Sequence, residues 1–568
     1  MNKHILTFIT AFLLFVVSNA QNTSTSSEFQ SKYHMMDSSE LFVPRIAGKS
    51  FTETLPPVGT VRAIPEWDVA QAVLISYNGG FGIPYSLIAE MSQDVRVITI
   101  VESSSQQTTV TNNYNSNGVN MSNCSFVIAP LDSYWSRDYG PWFIMVNNSQ
   151  IAVVDFPYNR PTRPNDDNVP VVIAPYLNET LYGMNVMATG GNYMCDGMGV
   201  AAMTDLINDD NPSLTSDQID TAFKQYLGIT NNYITTDPLG AYIKHIDCWG
   251  KFLDVDKILI GQVPVTNSHY NDYEAIATFW ANQTSSYGDP YQVYRVYEPN
   301  GEAYSNSLIL NKKVFMPFMS GSTSQNNAAL AVYQQAMPGY QCFGVNQLSS
   351  QTAWASTDAL HCRTHEIADK NMLYVHHVPY WGPQPIQSQY NVTADIYALS
   401  GSNIINDSVW LRYNVNLGPW NQVSMSHISG NQWTGAIPQQ LTGDTIRYYI
   451  HASDLSPHSV THPLIGSYDP HKFYITNIVS VNERKTEQAL MFPNPANDYI
   501  FIQMKDCNSP EVNVKLFSAM GAEILSFDEQ NTCDHLIKIN TGNVAPGSYL
   551  VNINSGGKSL VKKVMIMH

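Results

Sequence analysis

Two textures divide this chain, and the division limits its fold more than any other feature. From about residue 47 to Val378, short apolar runs of strand length alternate with helical patterns, the mark of an α/β region. Strand-like runs lie at 72–76, 95–101, 151–155, 257–260, 308–310 and 373–378, and residues 84–91 carry apolar side chains at helical spacing. After Pro379 the helical patterns stop. Short strands at 392–397, 410–413 and 446–450, separated by Gly, Asn and Pro turns, predict an all-β sandwich. A charged linker, 482–487, leads to a last small β unit. With 568 residues the chain is too long for one core, and about 100 to 200 residues per domain predicts three or four units. No strict internal repeat is visible.

The expected boundaries are a signal peptide at 1–20, a Ser/Thr-rich pro-segment at 21–46, an α/β catalytic region at 47–378, an immunoglobulin-like region at 382–478 and a C-terminal unit at 489–568. The signal reads from Lys3, an apolar run at 5–17, and the small residues of Ser18-Asn19-Ala20 before Gln21. That run is shorter than the ~20 residues of a membrane-spanning helix, and no later segment predicts one. A formal net charge of -18 argues against a nucleic-acid partner, because phosphate backbones are bound by Lys and Arg clusters missing here. Seven cysteines are an odd number for an exported chain, so at least one thiol stays unpaired within the molecule. Cys507 and Cys533 could pair with each other; Cys195 and Cys248 read as inert apolar fillers.

Four polar clusters fall at turns or strand ends of the α/β region: 132–142, 245–252, 304–307 and 357–366. Together they hold what guanidinium hydrolysis needs. The group is planar, delocalised and permanently charged, so it must be clamped and polarised before a nucleophile can reach its carbon. Two carboxylates can grip its N–H edges beside a thiolate while a histidine shuttles protons. His245 and Asp247, two apart on an extended segment, would share one face. Duller readings stand beside these: Asp138 could simply pair with Arg137, and His245 could be structural. His361, His365 and Glu366 match no zinc spacing.

The motifs Val61-Arg62-Ala63-Ile64, Trp135-Ser136-Arg137-Asp138-Tyr139, Thr189-Gly190-Gly191-Asn192-Tyr193-Met194, His245-Ile246-Asp247-Cys248-Trp249-Gly250-Lys251 and Thr357-Asp358-Ala359-Leu360-His361-Cys362-Arg363-Thr364-His365 carry a resemblance. The sequence resembles the guanidine-modifying enzymes, specifically the porphyromonad-type bacterial peptidylarginine deiminases, with agmatine deiminases as more distant relatives. The resemblance implies a five-bladed pseudo-symmetric α/β propeller followed by an immunoglobulin-like β-sandwich and a small all-β domain. It implies Cys362 as nucleophile, His245 as general acid/base, Asp138 and Asp247 as guanidinium clamps, and Asn306 in the catalytic set. Trp135, Arg160, Arg163, Tyr242, Ile243 and Thr357 would line the substrate pocket, Arg160 as a fork for a C-terminal carboxylate.

Within Arg160-Pro161-Thr162-Arg163, Thr162 is an extra residue against the family pattern, and Gly140-Pro141 looks more like the agmatine deiminases. The implied chemistry uses no metal or organic cofactor. The expected substrates are arginine-containing peptides or proteins, with agmatine or free arginine as the rival and an inactive surface-binding protein as the third reading. The last 80 residues resemble the C-terminal domain that directs Bacteroidetes proteins through type IX secretion, which implies a secreted or outer-membrane-surface protein and the secretion machinery as partner.

Overall fold

The computed structural model describes residues 51–348, 354–456, 458–477 and 489–567, the last stretch without 498, 505–510, 519–520, 531–535 and 556–557. The signal, the pro-segment, the charged linker, Cys507 and Cys533 lie outside the described residues. The chain divides into two compact units, residues 1–477 and 478–568.

Five small sheets build the α/β part, each on one plan. An antiparallel pair of strands comes first; a helical crossover then returns the chain to a third strand parallel to the second, as parallel neighbours require. Trp142–Val146 and Gln150–Asp155 pair antiparallel, and Thr180–Gly183 joins in parallel after the helix Val169–Leu177. Met194–Cys195, Val200–Thr204 and Asn231–Thr235 repeat the pattern around Ser216–Leu227, whose Thr215 and Gln218 form a reciprocal cap. Gly250–Asp254, Lys257–Gln262 and Gln292–Tyr297 do so around Tyr270–Ala281. Leu308–Leu310, Lys313–Phe318 and Gln341–Asn346 do so around Thr323–Ala336. The remaining sheet is completed from both ends of the region: His365–Ala368 pairs antiparallel with Ala70–Ser76, which runs parallel to Arg96–Val101 across the helix Tyr85–Asp94.

The middle strands are buried along nearly their whole length, which explains why they read as continuous apolar runs and not as alternations. The first strands of the five sheets begin at Trp142, Met194, Gly250, Leu308 and His365, 52 to 58 residues apart. The repeat is therefore structural; apolar residues of any identity satisfy it, and it leaves no matching letters.

One strand departs from expectation. Leu373–His376, read as the last strand of the α/β region, pairs antiparallel with Gln389–Ala398 and so belongs to the β region. There, two sheets enclose one core that includes Tyr390, Val392, Leu411, Trp433, Tyr448 and Phe473. Gln389–Ala398 alternates exposed and buried positions, as a strand with one solvated face must. The described residues of the second unit form two further sheets around Ile500, Val514, Ile537, Val551 and Val564. Among the described residues no helix is long and apolar enough to cross a membrane.

Candidate active site

The segment just before the first strand of each sheet is a short loop or a single tight helical turn. These five segments hold the sequence motifs: 133–141, Gly190–Asn192, Ile246–Cys248, 304–307 and His361–Arg363. The fold brings them together, and backbone bonds latch them to one another. Gly190 N–H donates to Asp138 O at 2.8 Å, Arg137 N–H to Cys362 O at 3.2 Å, and His361 N–H to Asn306 O at 3.2 Å.

Cys362 is completely buried in the last of these turns. The Asn306 side chain holds that turn: its Oδ1 accepts from His361 N–H at 3.0 Å and Cys362 N–H at 3.4 Å, while its Nδ2 donates to Cys362 Sγ at 3.3 Å and to Asp247 O at 3.3 Å. Cys362 Sγ faces Asp247 Oδ2 at 3.7 Å. Burial, with Asp247, Asp358 and Asp138 close by, pushes the thiol well above its ordinary range.

His245 and Asp138 are both wholly buried, with Nδ1 and Oδ1 3.7 Å apart. Burial lowers the imidazole to about 3, so it is neutral at physiological pH. Burial, reinforced by Asp247, raises the Asp138 carboxyl well above the carboxylate range. Asp247 behaves oppositely. Burial pushes it up, but the hydrogen bond and charge of His361, with His245 and Lys251, bring it net below its ordinary value. Asp138 and the thiol are thus both held toward their neutral forms, and a cation beside them would favour ionisation of each.

His245 and Asp247 do not share one face of an extended segment as expected. His245 has extended backbone angles, but Ile246–Cys248 turns into a single helical turn, which swings Asp247 toward Cys362 and His361. The simple Arg137–Asp138 pair does not form either: Arg137 makes a two-pronged bond to Glu366 at 3.2 and 2.6 Å. Gly191 explains the tightness of the pocket. A Cβ there would lie 2.4 Å from His245 Nδ1 and 2.7 Å from Asp138 Oδ1, so no larger residue fits undisturbed.

Of the expected lining residues, Trp135 and Thr357 are buried beside the site, and Trp135 hydrogen-bonds Asp358. The Arg163 guanidinium lies 5.1 Å over the Trp135 ring. Arg160 is buried; its Nη1 donates to Asn159 Oδ1 at 2.6 Å, and it is close enough to His245 and Asp138 to act on both electrostatically. Tyr242 is 40% exposed, whereas the Ile243 side chain packs into the core around Trp249.

The family comparison agrees with this geometry. The model of the Porphyromonas-type peptidyl-arginine deiminase family matches residues 62–367, more than half of the chain. The chain belongs to that family. It is thereby a member of the guanidine deiminases, hydrolases of guanidino C–N bonds. Two Legionella pneumophila proteins named as candidate agmatine deiminases are 23% and 24% identical to the deiminase over 264 residues, covering 43% of this chain and 75% of theirs. Among solved structures, the agmatine deiminase of Enterococcus faecalis is similar at 18% identity and a TM-score of 0.48, covering 55% of this chain and 99% of its own. The C. jejuni agmatine deiminase is similar at 18% identity and a TM-score of 0.45, covering 55% and 96%. Residues 490–567 match the secretion system C-terminal sorting domain, the type IX address. The deiminase is accordingly a secreted or outer-membrane-surface protein of a Bacteroidetes-type bacterium, and the secretion machinery is its partner.

Sequence reading missed a second tier behind the candidate residues. Arg363, next to Cys362, is locked to Asp358 by bonds of 2.9 and 2.6 Å with both side chains wholly buried. Glu66, His361 and Lys251 form a chain behind Asp247. The signal available was adjacency: His361 and Arg363 flank Cys362, and Lys251 closes the motif that opens with His245.

Proposed function

We propose that the protein hydrolyses the guanidinium of arginine, foremost a C-terminal arginine of peptides or proteins, to citrulline and ammonia. The observation that carries this reading is the convergence of Cys362, His245, Asp138, Asp247 and Asn306 from four separate loops into one buried cluster. The five sheets are read as blades of an α/β propeller that ends with His365–Ala368, followed by an immunoglobulin-like domain that begins with Leu373–His376.

In this mechanism Asp138 and Asp247 grip the guanidinium N–H groups and set its carbon beside Sγ. The Cys362 thiol passes its proton to the neutral His245, and sulfur bonds to the guanidinium carbon. Collapse of the adduct breaks a C–N bond, and His245 returns the proton to the departing ammonia, leaving a covalent thiouronium. His245 then takes a proton from water, whose oxygen bonds to the same carbon; the C–S bond breaks as the new hydroxyl proton passes to the departing sulfur, which restores the thiol and frees neutral citrulline, and His245 gives up its proton to solvent, where ammonia becomes ammonium. Asn306 Nδ2 supports the sulfur throughout.

Agmatine carries an ammonium at its far end where a C-terminal arginine carries a carboxylate. Two arginines, Arg160 and Arg163, lie within electrostatic reach of Asp138, which favours the carboxylate. The similarity to agmatine deiminases keeps the smaller substrate as the second reading. Wild type and Cys362→Ala should be compared on agmatine, free arginine, a peptide ending in arginine and one with internal arginine, with ureido product measured. Product from the first peptide, absent in Cys362→Ala and reduced by Arg160→Ala, is expected. Product from agmatine alone removes the peptide reading, and no product from any substrate removes the enzyme reading in favour of an inactive binding protein.

A further inference from the structure

Behind Asp247, on the side away from the thiol's other neighbours, four charged groups form a line. Asp247 Oδ2 accepts from His361 Nδ1 at 2.7 Å, and His361 Nε2 reaches Glu66 Oε2 at 3.2 Å. Glu66 Oε2 also bonds Lys251 Nζ, and its Oε1 accepts from the Ile309 N–H at 2.6 Å. Each ring nitrogen of His361 thus faces a carboxylate oxygen. The Glu66 carboxyl, which burial alone would raise, is instead held well below its ordinary range by Lys251 and His361. Arg137 and Glu366 run alongside, and His365 lies near enough to feel His361.

Along this line the side chains keep 6% accessibility at Asp247, 6% at His361, 13% at Glu66 and 4% at Lys251, while Cys362, His245 and Asp138 keep none. A cavity is lined in part by Glu66, Arg137, Asp247, Lys251, His361 and Glu366.

We propose that Glu66 and His361 are positioning residues of a relay, Lys251–Glu66–His361–Asp247, that keeps Asp247 anionic and aimed for its grip on the guanidinium. This rests on the deiminase reading of the site. Neither residue touches the substrate; both act through Asp247. The relay explains how one of two neighbouring buried carboxylates stays charged in the empty pocket while the other, Asp138, waits for the cation.

The test is the pH dependence of purified full-length protein. His361→Asn retains an amide N–H where Nδ1 donates but removes the second ring nitrogen and with it the link to Glu66 and Lys251, so the acid limb of kcat/KM should move to higher pH by about one unit or more. At pH 6 the KM should rise by a larger factor than kcat falls. Glu66→Gln keeps an acceptor for Ile309 and should move the limb the same way by less; it also serves if His361→Asn does not fold. A merely structural role would scale activity equally at all pH values, and an unmoved limb overturns the proposal.

A second readout is independent of deimination. Cys362 labelling by chloroacetamidine, in which sulfur bonds to the methylene carbon and chloride leaves, is compared by intact mass with labelling by neutral chloroacetamide. The cationic reagent should lose its rate advantage in both variants, and an unchanged ratio overturns the relay. If wild type deiminates nothing yet the ratio falls in the variants, the functional reading fails while the relay stands.

Discussion

Gly191→Ala isolates geometry from chemistry, because it adds one methyl group and removes no functional group. Gly191 sits in the turn Gly190–Asn192, and its φ lies outside the left-handed region, so alanine meets no backbone penalty there. The added Cβ would stand 2.4 Å from His245 Nδ1, and ordinary contact begins near 3.4 Å, so the ring must retreat by about 1 Å. Asp138, at 2.7 Å, must shift in the same event. Both are fully buried, so the movement must be taken up by the packing around them. A 1 Å displacement of a catalytic group costs about 100-fold in rate, or about 2.7 kcal/mol of transition-state stabilisation. Release of ureido product from an arginine-terminated peptide, with thermal unfolding followed in parallel, measures the effect. The expectation is a fall in kcat of that order with the thiol still present. Activity within about threefold of wild type would mean that His245 and Asp138 need not hold this spacing, and the assignment of His245 as proton shuttle would fall.

Three further predictions follow from other parts of the structure. Asp155 is buried, and burial with Asp167 raises its carboxyl to about 8. Its stability contribution is fully present below the unfolded value near 4 and lost as pH rises toward 8, so Asp155→Asn should gain melting temperature over wild type at pH 8.5 but much less at pH 5, an effect on the order of a few kcal/mol; equal gains at both values refute it. Asp358→Asn leaves the buried Arg363 charge without its carboxylate and should cost about 3 to 5 kcal/mol in urea unfolding; a loss under about 1 kcal/mol would show that the pair is dispensable. A chain ending at Asn477 removes the second compact unit and its sorting signal, so it should keep the full deiminase kcat/KM in vitro while failing to reach the medium or cell surface; a large loss of activity would show that the units depend on each other.

The α/β region was legible in the sequence because its middle strands are buried on both faces and announce themselves as apolar runs. The strands at 308–310 and 446–450 and the helix near 84–91 fall where the pattern placed them. Residues 373–376 were assigned to the wrong side of the boundary because pairing partners leave no mark on a short apolar run. The site was legible as motifs, and it is their resemblance to the guanidine-modifying enzymes that implies a role for the thiol, the histidine and the two carboxylates. Their meeting was not, because Asp138 and Cys362 are more than 200 positions apart and only the sheet closed by His365–Ala368 and Ala70–Ser76 brings the last loop back beside the first. The turn at Ile246–Cys248 was hidden for a different reason: alternating polar residues read as a strand, while the bond from Asp247 to His361, a tertiary contact, decides the local conformation.

Placing one loop before the first strand of each sheet gives five equivalent positions around the pocket, and the five are filled unequally. Four deliver Asp138, the His245–Asp247 pair, Asn306 and Cys362; the fifth, Gly190–Asn192, delivers no acid, base or nucleophile. Its contribution is space and a latch. Gly190 N–H ties the loop to Asp138 O, a Cβ on Gly190 would lie 2.0 Å from Arg137 O, and one on Gly191 would strike His245. A larger side chain in this loop would displace the groups that the other four loops bring together, so their close approach depends on the paired glycines 190 and 191.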